Sequence, residues 1–290
     1  MTVHKRNTAL SPPYYRLSRT KSKASAHANA IFAHMENAKT KYMAGLIDSE
    51  ILSAVEKDTL HPVFLDFEAC NALEIRYDLF DRKCWPSLSA RVRKLAPHAI
   101  QIGTIRLVRD GGEFPDREVN RRLPLWSNIL GERECPDWLD LEQDCLSDFK
   151  NLKDLAELHK TKIIVSQHNF LRIPSQQELE DFARDCLRLK ADGLKIAAMS
   201  NSETDCDRLY KFAHKHASEF EMFAAFGMGE TGRPSRIWSL AEGANLTYGS
   251  IGKCRAPGQV DIPKMEKAIE NLDNLHSPFD VQNFLSKMSF

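Results

Sequence analysis

The sequence predicts an α/β protein of the (β/α)8 TIM-barrel class, folded as a single domain over residues 1–290. From about residue 60, short apolar runs alternate with longer amphipathic stretches, which is typical of parallel strands joined by crossover helices. With one strand nearer the N-terminus, the runs make about eight units in roughly 250 residues, which favours a closed barrel over an open sheet. No linker or low-complexity segment divides the chain. The apolar runs are 72–77, 99–105, 138–141, 162–167, 193–199, 222–226 and 245–249.

The two ends of the chain lie outside this alternation. The run Tyr14-Tyr15-Arg16-Leu17 is the predicted first strand, after a basic tail at about 1–12. Residues 1–34 contain six Lys or Arg and no Asp or Glu. That composition is also typical of a transit peptide, so a targeting role stays open. The stretch 38–70 is interpreted as the first helix extended by an insertion, and a C-terminal helix is predicted at about 276–290.

Two helix starts are clear. Ser175 and Glu178 form a predicted capping box after Pro174, at the head of an amphipathic stretch that runs to Lys190. Asp261 followed by Pro263 predicts the start of another helix with its own apolar face.

The overall composition is that of an ordinary globular protein. Of 290 residues, 42% are hydrophobic and 28% charged, and 40 Lys and Arg balance 40 Asp and Glu. A net charge of zero argues against nucleic acid or an acidic membrane surface as a partner. No apolar run reaches the roughly 18 residues of a membrane span. The seven cysteines are odd in number and show no metal-ligand spacing, which indicates free thiols in a reducing compartment and predicts a cytoplasmic protein.

Lys195 lies within the apolar run 193–199. In isolation, a lysine in such a run is more often an edge residue whose amine reaches water. The alternative is an amine kept partly neutral by desolvation, able to attack a ketone and form an iminium. The second interpretation requires an acid or base close by.

His168 supplies a candidate for that group. It follows the apolar run 162–167, on the strand before the one that bears Lys195. A lone histidine at a strand end is more often a structural hydrogen-bonding residue. Adjacent strands of a barrel, however, would place both side chains at one rim, where an amine beside an imidazole makes an acid/base pair.

Further charged residues follow the same positional rule. Glu74, Arg76 and Asp78 alternate along 73–79, so their side chains would share one face of a strand. Arg106 and Asp110 follow the next apolar run. Glu142 closes the run after that and could belong to the same network. Structural ion pairs are the simpler interpretation of each group taken alone.

The segment Gly227-Met228-Gly229-Glu230-Thr231-Gly232 matches the dinucleotide pattern G-x-G-x-x-G. It lies late in the chain, and no acidic residue ends the following strand near position 250 to bind a ribose. The sequence therefore argues against a nucleotide site here.

From about Leu73 to Leu272 the chain resembles the class I (type I) 3-dehydroquinate dehydratases. The resemblance rests on ordered segments, of which the last two are highly specific. In order, the segments are Leu73-Glu74-Ile75-Arg76-Tyr77-Asp78, Thr104-Ile105-Arg106 with Asp110-Gly111-Gly112, Ser166-Gln167-His168-Asn169-Phe170, Lys195-Ile196-Ala197, Gly227 to Gly232 with Ser235-Arg236, and Ala256-Pro257-Gly258-Gln259.

The resemblance implies syn dehydration of 3-dehydroquinate to 3-dehydroshikimate through a lysine Schiff base, without metal or cofactor. It assigns catalytic roles to three residues: imine formation to Lys195, proton transfer to His168 and a contact with His168 to Asp110. It assigns the substrate carboxylate to Arg236. The remaining residues that it places at the substrate are Glu74, Arg76, Arg106, Arg255 and Gln259. It also implies a homodimer.

The chain departs from the family pattern at two of these positions. Arg255 stands where the family often has serine on a mobile loop, and Asp110 stands where it usually has glutamate. Arg255 therefore leaves a second interpretation open, in which the chain is a non-catalytic or weakly catalytic barrel that senses dehydroquinate or quinate. A Schiff-base aldolase on the same fold is disfavoured by the segment 256–259.

Overall fold

A computed structural model of the chain describes residues 39–143, 149–252, 254 and 258–288. Eight parallel strands form one sheet in which the first seven pair in sequence order and the first also pairs with the eighth, while no strand ladder joins the seventh to the eighth. The predicted TIM-barrel class is confirmed. The strands are β1 (Tyr42–Ile47), β2 (Ala72–Arg76), β3 (Ile100–Thr104), β4 (Trp138–Glu142), β5 (Lys162–Asn169), β6 (Gly193–Met199), β7 (Met222–Met228) and β8 (Leu246–Gly249).

Helices cover the outside of this sheet and connect successive strands. They are α1 (Ser49–Lys57), α2 (Pro62–Ala69), α3 (Trp85–Leu95), α4 (Arg122–Leu130), α5 (Phe149–Leu158), α6 (Gln176–Arg188), α7 (Asp207–His216), α8 (Ser235–Ala241), α9 (Ile262–Glu270) and α10 (Pro278–Lys287). Both predicted helix starts are present. Ser175 forms the capping box with Glu178, and the Asp261 carboxylate accepts from Lys264 N. No helix in the described residues is long and apolar enough to cross a membrane.

The first strand of the barrel is not where the sequence placed it. The run 14–17 and the basic tail at 1–12 lie outside the described residues. The position between β8 and β2 is taken by Tyr42–Ile47, inside the stretch interpreted as an extended helix and insertion. The interpretation failed because this strand is buried on both faces and is therefore uniformly apolar. A short run of that kind does not distinguish a strand from a helix by periodicity.

The seam between β7 and β8 is bridged by one side chain. Asn245, just before β8, donates its backbone N–H to Phe223 O at 3.0 Å. Its Oδ1 accepts from Phe223 N at 2.8 Å, and its Nδ2 donates to Glu221 O at 2.9 Å. These bonds connect the ends of the sheet where the strand ladder itself does not pair them.

The interior of the barrel changes character along its axis. Inward side chains at the amino ends of the strands are apolar and pack together, among them Ile102, Trp138, Ile164 and Leu246. Outward side chains pack against the helices in a larger apolar core. Because side chains alternate along a strand, the inward positions near the carboxyl ends form a separate layer. That layer is charged.

Candidate active site

A cavity of about 390 Å³ opens at the carboxyl ends of the strands. Every predicted site residue that the structure describes lines it: Glu74, Arg76, Arg106, Asp110, His168, Lys195, Arg236 and Gln259. Arg255 lies outside the described residues. Cavities of about 510 and 430 Å³ lie elsewhere and contain none of these residues.

Lys195 points into the barrel and is only 3% exposed. Its amine therefore does not reach bulk water, and the edge-residue interpretation is wrong. Nζ donates to Asp140 Oδ2 at 2.8 Å and lies 3.4 Å from Glu74 Oε1. It also lies 4.0 Å from the centre of the Tyr248 ring. The Lys195 amine therefore has two carboxylates that can accept its protons, and it faces the open cavity.

Asp140 is the carboxylate that the sequence argument did not single out. It is 1% exposed and accepts from Lys195, from Arg106 NH2 at 3.0 Å and from Ser166 Oγ at 2.5 Å. Burial favours the neutral acid, but the cations of Arg106 and Lys195 outweigh it and hold the pKa of Asp140 below its usual range. The available signal was its spacing, since Asp140 and Glu142 share the inward face of β4.

Arg106 connects the charged layer. Its NH1 donates to Glu142 Oε1 at 3.0 Å and to Ser166 Oγ at 3.1 Å, and it approaches His168 Nδ1 at 3.3 Å. Burial alone would lower the pKa of Arg106, but Asp140 and Glu74 reverse the effect and raise it. A guanidinium held by several acceptors is a fixed positive charge beside the imidazole.

A second buried arginine lies behind this group. Arg122, at the start of α4, forms an ion pair with Glu142. Arg122 was not predicted from the sequence because it belongs to a helix. Functional residues of a barrel are expected at the carboxyl ends of strands and in the loops that follow. Glu142 is thereby shared between Arg122 and Arg106.

His168 lies next to last in β5, two residues beyond Ser166, which is paired in register with Lys195. Because arginine can only donate, Nδ1 accepts from Arg106, and the proton of the neutral ring lies on Nε2. Burial, followed by the charges of Arg106 and Lys195, lowers the pKa of His168 well below the usual value for histidine. The imidazole is therefore neutral at physiological pH, and its cation would release a proton readily.

The row of three charged side chains predicted on one strand face is shorter than expected. The strand ends at Arg76, and Asp78 lies in a following 3-10 turn because the chain bends away from the sheet there. Asp78 still pairs with Arg76 through two bonds of 2.9 and 2.7 Å. Glu74 Oε1 accepts from Thr104 Oγ1 at 2.8 Å. Thr104 thus holds Glu74 and Asp78 holds Arg76, and both side chains line the cavity.

Asp110 lies in a short turn at the rim. Its nearest cationic partner is Arg109 Nε at 3.8 Å, and no hydrogen bond joins it to His168 in the described part of the chain. Burial raises the pKa of Asp110 above its usual value despite three nearby arginines. Asp110 and His168 also border another cavity, of about 450 Å³, together with Glu142 and Ser166.

Arg236 comes from the first turn of α8 and enters the cavity from the opposite wall. Nε donates to Gly258 O at 3.0 Å and NH1 to Tyr248 O at 3.3 Å. The guanidinium lies 4.5 Å from the Phe226 ring. Burial lowers the pKa of Arg236 to about 10, since no carboxylate offsets it among the described residues. This arginine remains available to an anionic ligand.

The glycine-rich segment serves backbone packing. Gly258 has φ +76°, and a Cβ there would overlap the carbonyl of Gly229. The loop after β7 therefore packs directly on the segment that carries Gln259. Within the described residues, no group of three or more His, Cys, Asp or Glu could hold a metal ion.

Comparisons with known proteins indicate the family of the chain. The family model for Type I 3-dehydroquinase matches residues 64–276. The 3-dehydroquinate dehydratase of Thermodesulfovibrio yellowstonii is 28% identical over 214 residues, which cover 72% of this chain and 89% of that protein. The enzyme of that name from Archaeoglobus fulgidus is 30% identical over 205 residues, covering 71% and 91%.

A solved structure shows the same fold. The type I 3-dehydroquinate dehydratase of Clostridium difficile, crystallised with covalently modified comenic acid, superposes with a TM-score of 0.71 at 20% identity and covers 83% of this chain and 95% of that one. The family match spans all strands of the barrel from β2 to β8 and every predicted site residue. This chain belongs to the type I 3-dehydroquinase family.

Proposed function

We propose that the chain converts 3-dehydroquinate to 3-dehydroshikimate and water by syn elimination through a Schiff base on Lys195. The observation that supports this most strongly is the cavity itself. It places a buried amine, a neutral imidazole and an arginine without a carboxylate partner among the described residues around one space. These groups match a substrate that carries a ketone, an acidic C–H bond and a carboxylate.

Lys195 begins the reaction in this proposal. Its neutral amine attacks the C3 carbonyl carbon, the carbonyl oxygen leaves as water, and a C=N bond forms with a positive charge on nitrogen. Asp140 and Glu74 are placed to take the protons that Nζ gives up. The cationic nitrogen then withdraws electrons from the neighbouring C2–H bond, which becomes acidic.

His168 moves the proton. The neutral imidazole removes the C2 proton, and the electron pair passes into the C=N system as an enamine. The resulting imidazolium protonates the C1 hydroxyl as it leaves as water. The charges that lower the pKa of His168 make this second transfer favourable. Water then hydrolyses the imine and regenerates Lys195.

Arg236 binds the substrate carboxylate in this proposal. A planar guanidinium suits a carboxylate because two parallel N–H bonds can form. Gln259 and Arg76 lie on the cavity wall, where they can contact ring hydroxyls, while Glu74 and Arg106 brace Lys195 and His168. Asp110 is proposed to orient His168 once the substrate is bound. Arg255 is also proposed to contact the substrate.

The proposal is tested by adding 3-dehydroquinate and borohydride to the full chain, followed by intact mass measurement and peptide mapping. Ultraviolet absorbance of the conjugated enone reports the product. A reduced adduct on Lys195 with appearance of the enone would support the dehydratase. A chain that binds 3-dehydroquinate but gives neither adduct nor enone would be a sensing barrel instead.

Arg236 permits a test of carboxylate recognition. Arg236→Gln is expected to weaken substrate binding by roughly 10- to 100-fold, because a charge-assisted bond is lost from a desolvated site. The loss should appear in KM, with a smaller change in kcat. Arg233→Gln is the control, since that side chain lies in the same loop region but does not line the cavity. An unchanged KM for Arg236→Gln would assign the carboxylate to another residue.

A homodimer and a cytoplasmic location are further proposals. The six cysteines that the structure describes are free thiols, which supports a reducing compartment. The molar mass in solution and the distribution after cell fractionation test these two points separately.

A further inference from the structure

Tyr248 is an aromatic residue of the cavity to which the mechanism above gives no task. It lies in β8 with its side chain directed into the barrel, and it is 9% exposed. The centre of its ring is 4.0 Å from Lys195 Nζ. That separation is well inside the roughly 6 Å over which a ring face attracts a cation.

The ring is held in this place by its neighbours. Phe226 on β7 packs against Tyr248 with ring centres 5.8 Å apart, and Arg236 lies 4.5 Å from the centre of Phe226. Two aromatic rings thus lie side by side, each with a cation against it. Both rings are buried, at 3% and 9% exposed, so the packing leaves the Tyr248 ring little room to turn away from Nζ.

Imine formation changes what Lys195 can donate. A lysine ammonium has three N–H groups, which suits two carboxylates, whereas a protonated imine has one. Only one of Asp140 and Glu74 can then receive a hydrogen bond from Nζ. A ring face requires no N–H group, because it attracts the charge itself. Its contribution therefore persists after the carbon–nitrogen bond has formed.

We propose that the Tyr248 ring is a catalytic residue that stabilises the positive charge of the imine on Lys195. The inference rests on the proposed function. In the step concerned, Nζ bonds to the substrate carbonyl carbon, water leaves, and one proton stays on nitrogen. The ring favours this cation over the neutral amine and over the neutral imine, and so keeps the covalent species in its reactive form.

The hydroxyl of Tyr248 has no part in the proposal. Its oxygen is buried and has no hydrogen-bond partner among the described residues. Tyr248→Phe therefore removes no bond and keeps the ring. The hydroxyl also shows that an atom fits at the para position, so a fluorine there would be accommodated.

A graded series of rings at position 248 tests the inference. The variants are Tyr248→Phe, the same site with one, two or three ring fluorines introduced by nonsense suppression, and Tyr248→Leu. Each fluorine withdraws electron density from the ring face with little change in shape. Borohydride reduces the cationic imine, so the yield of Lys195 adduct in a single turnover with 3-dehydroquinate measures the species concerned.

The expected result is an adduct yield for Tyr248→Phe equal to that of the unchanged chain, followed by a stepwise fall with each fluorine. Tyr248→Leu should trap roughly tenfold less. Equal trapping across the fluorinated series, or a loss already in Tyr248→Phe, would overturn the inference. If the leucine variant failed to fold, the fluorinated rings would still decide the question. Absence of any adduct in the unchanged chain would refute the imine and the proposed function instead.

Discussion

Lys195→Ala is expected to abolish the borohydride adduct and to lower turnover on the order of 10⁴-fold or more, because no other lysine among the described residues lines the cavity and could form the imine. The fold should survive. Breaking a buried ion pair commonly costs about 3–5 kcal/mol, but Asp140 keeps Arg106 and Ser166 after the change, so the loss should be smaller. Enone formation and thermal unfolding of the variant measure the two effects separately.

Lys162→Ala is the matched control for this experiment. Lys162 begins the adjacent strand, is partly exposed and pairs with Glu221 away from the cavity. Its removal should leave both the adduct and the turnover unchanged. Near-normal activity in Lys195→Ala would refute a Schiff base at this position.

His168→Ala is expected to lower kcat by roughly 10²- to 10⁴-fold while the Lys195 adduct still forms. The imine needs only Lys195 and its carboxylates, whereas loss of the C2 proton needs the imidazole. Arg106 keeps Glu142 and Ser166 as acceptors, so its position should hold. The measurement is turnover compared with adduct yield on the same sample. Equal loss of both would place His168 in imine formation.

The pH dependence of kcat follows from the environment of His168. Burial and the charges of Arg106 and Lys195 lower its pKa, so the neutral, basic form persists below pH 6.5. The positive charge on the Lys195 nitrogen remains in the imine, so the effect should persist with substrate bound. The acid limb of kcat is therefore expected below pH 6.5. A limb above that value would contradict this environment for the imidazole.

The sequence predicted the barrel and most of its charged layer for one physical reason. The alternation of short apolar runs with amphipathic stretches predicts parallel strands covered by helices. The carboxyl ends of such strands lie together at one rim of the barrel. Lys195, His168 and Arg106 followed from that rule alone. Arg236 and Gln259 were identified from the family resemblance, because a helix and a loop give no periodic signal for a contact across the barrel.

The contacts of Asp140 and Tyr248 with Lys195 could be recognised only from the tertiary structure. Each is an inward residue in a short apolar run, and only the closed sheet shows that both meet Lys195. Arg122 reaches Glu142 from a helix, a pairing that no spacing along the chain encodes. The position of β1 likewise required the sheet, since a strand buried on both faces lacks the alternation that marks strands in sequence.

Apart from β1, local sequence thus determined which strands form and which chemical groups they carry, because propensity, capping and alternation act over a few residues. The tertiary structure decided the partners and charge state of those groups, because burial and neighbouring charge depend on residues far apart in the chain. Lys195 is an example of both contributions. The sequence placed an amine in an apolar strand, and the closed barrel placed Asp140, Glu74 and the Tyr248 ring around it.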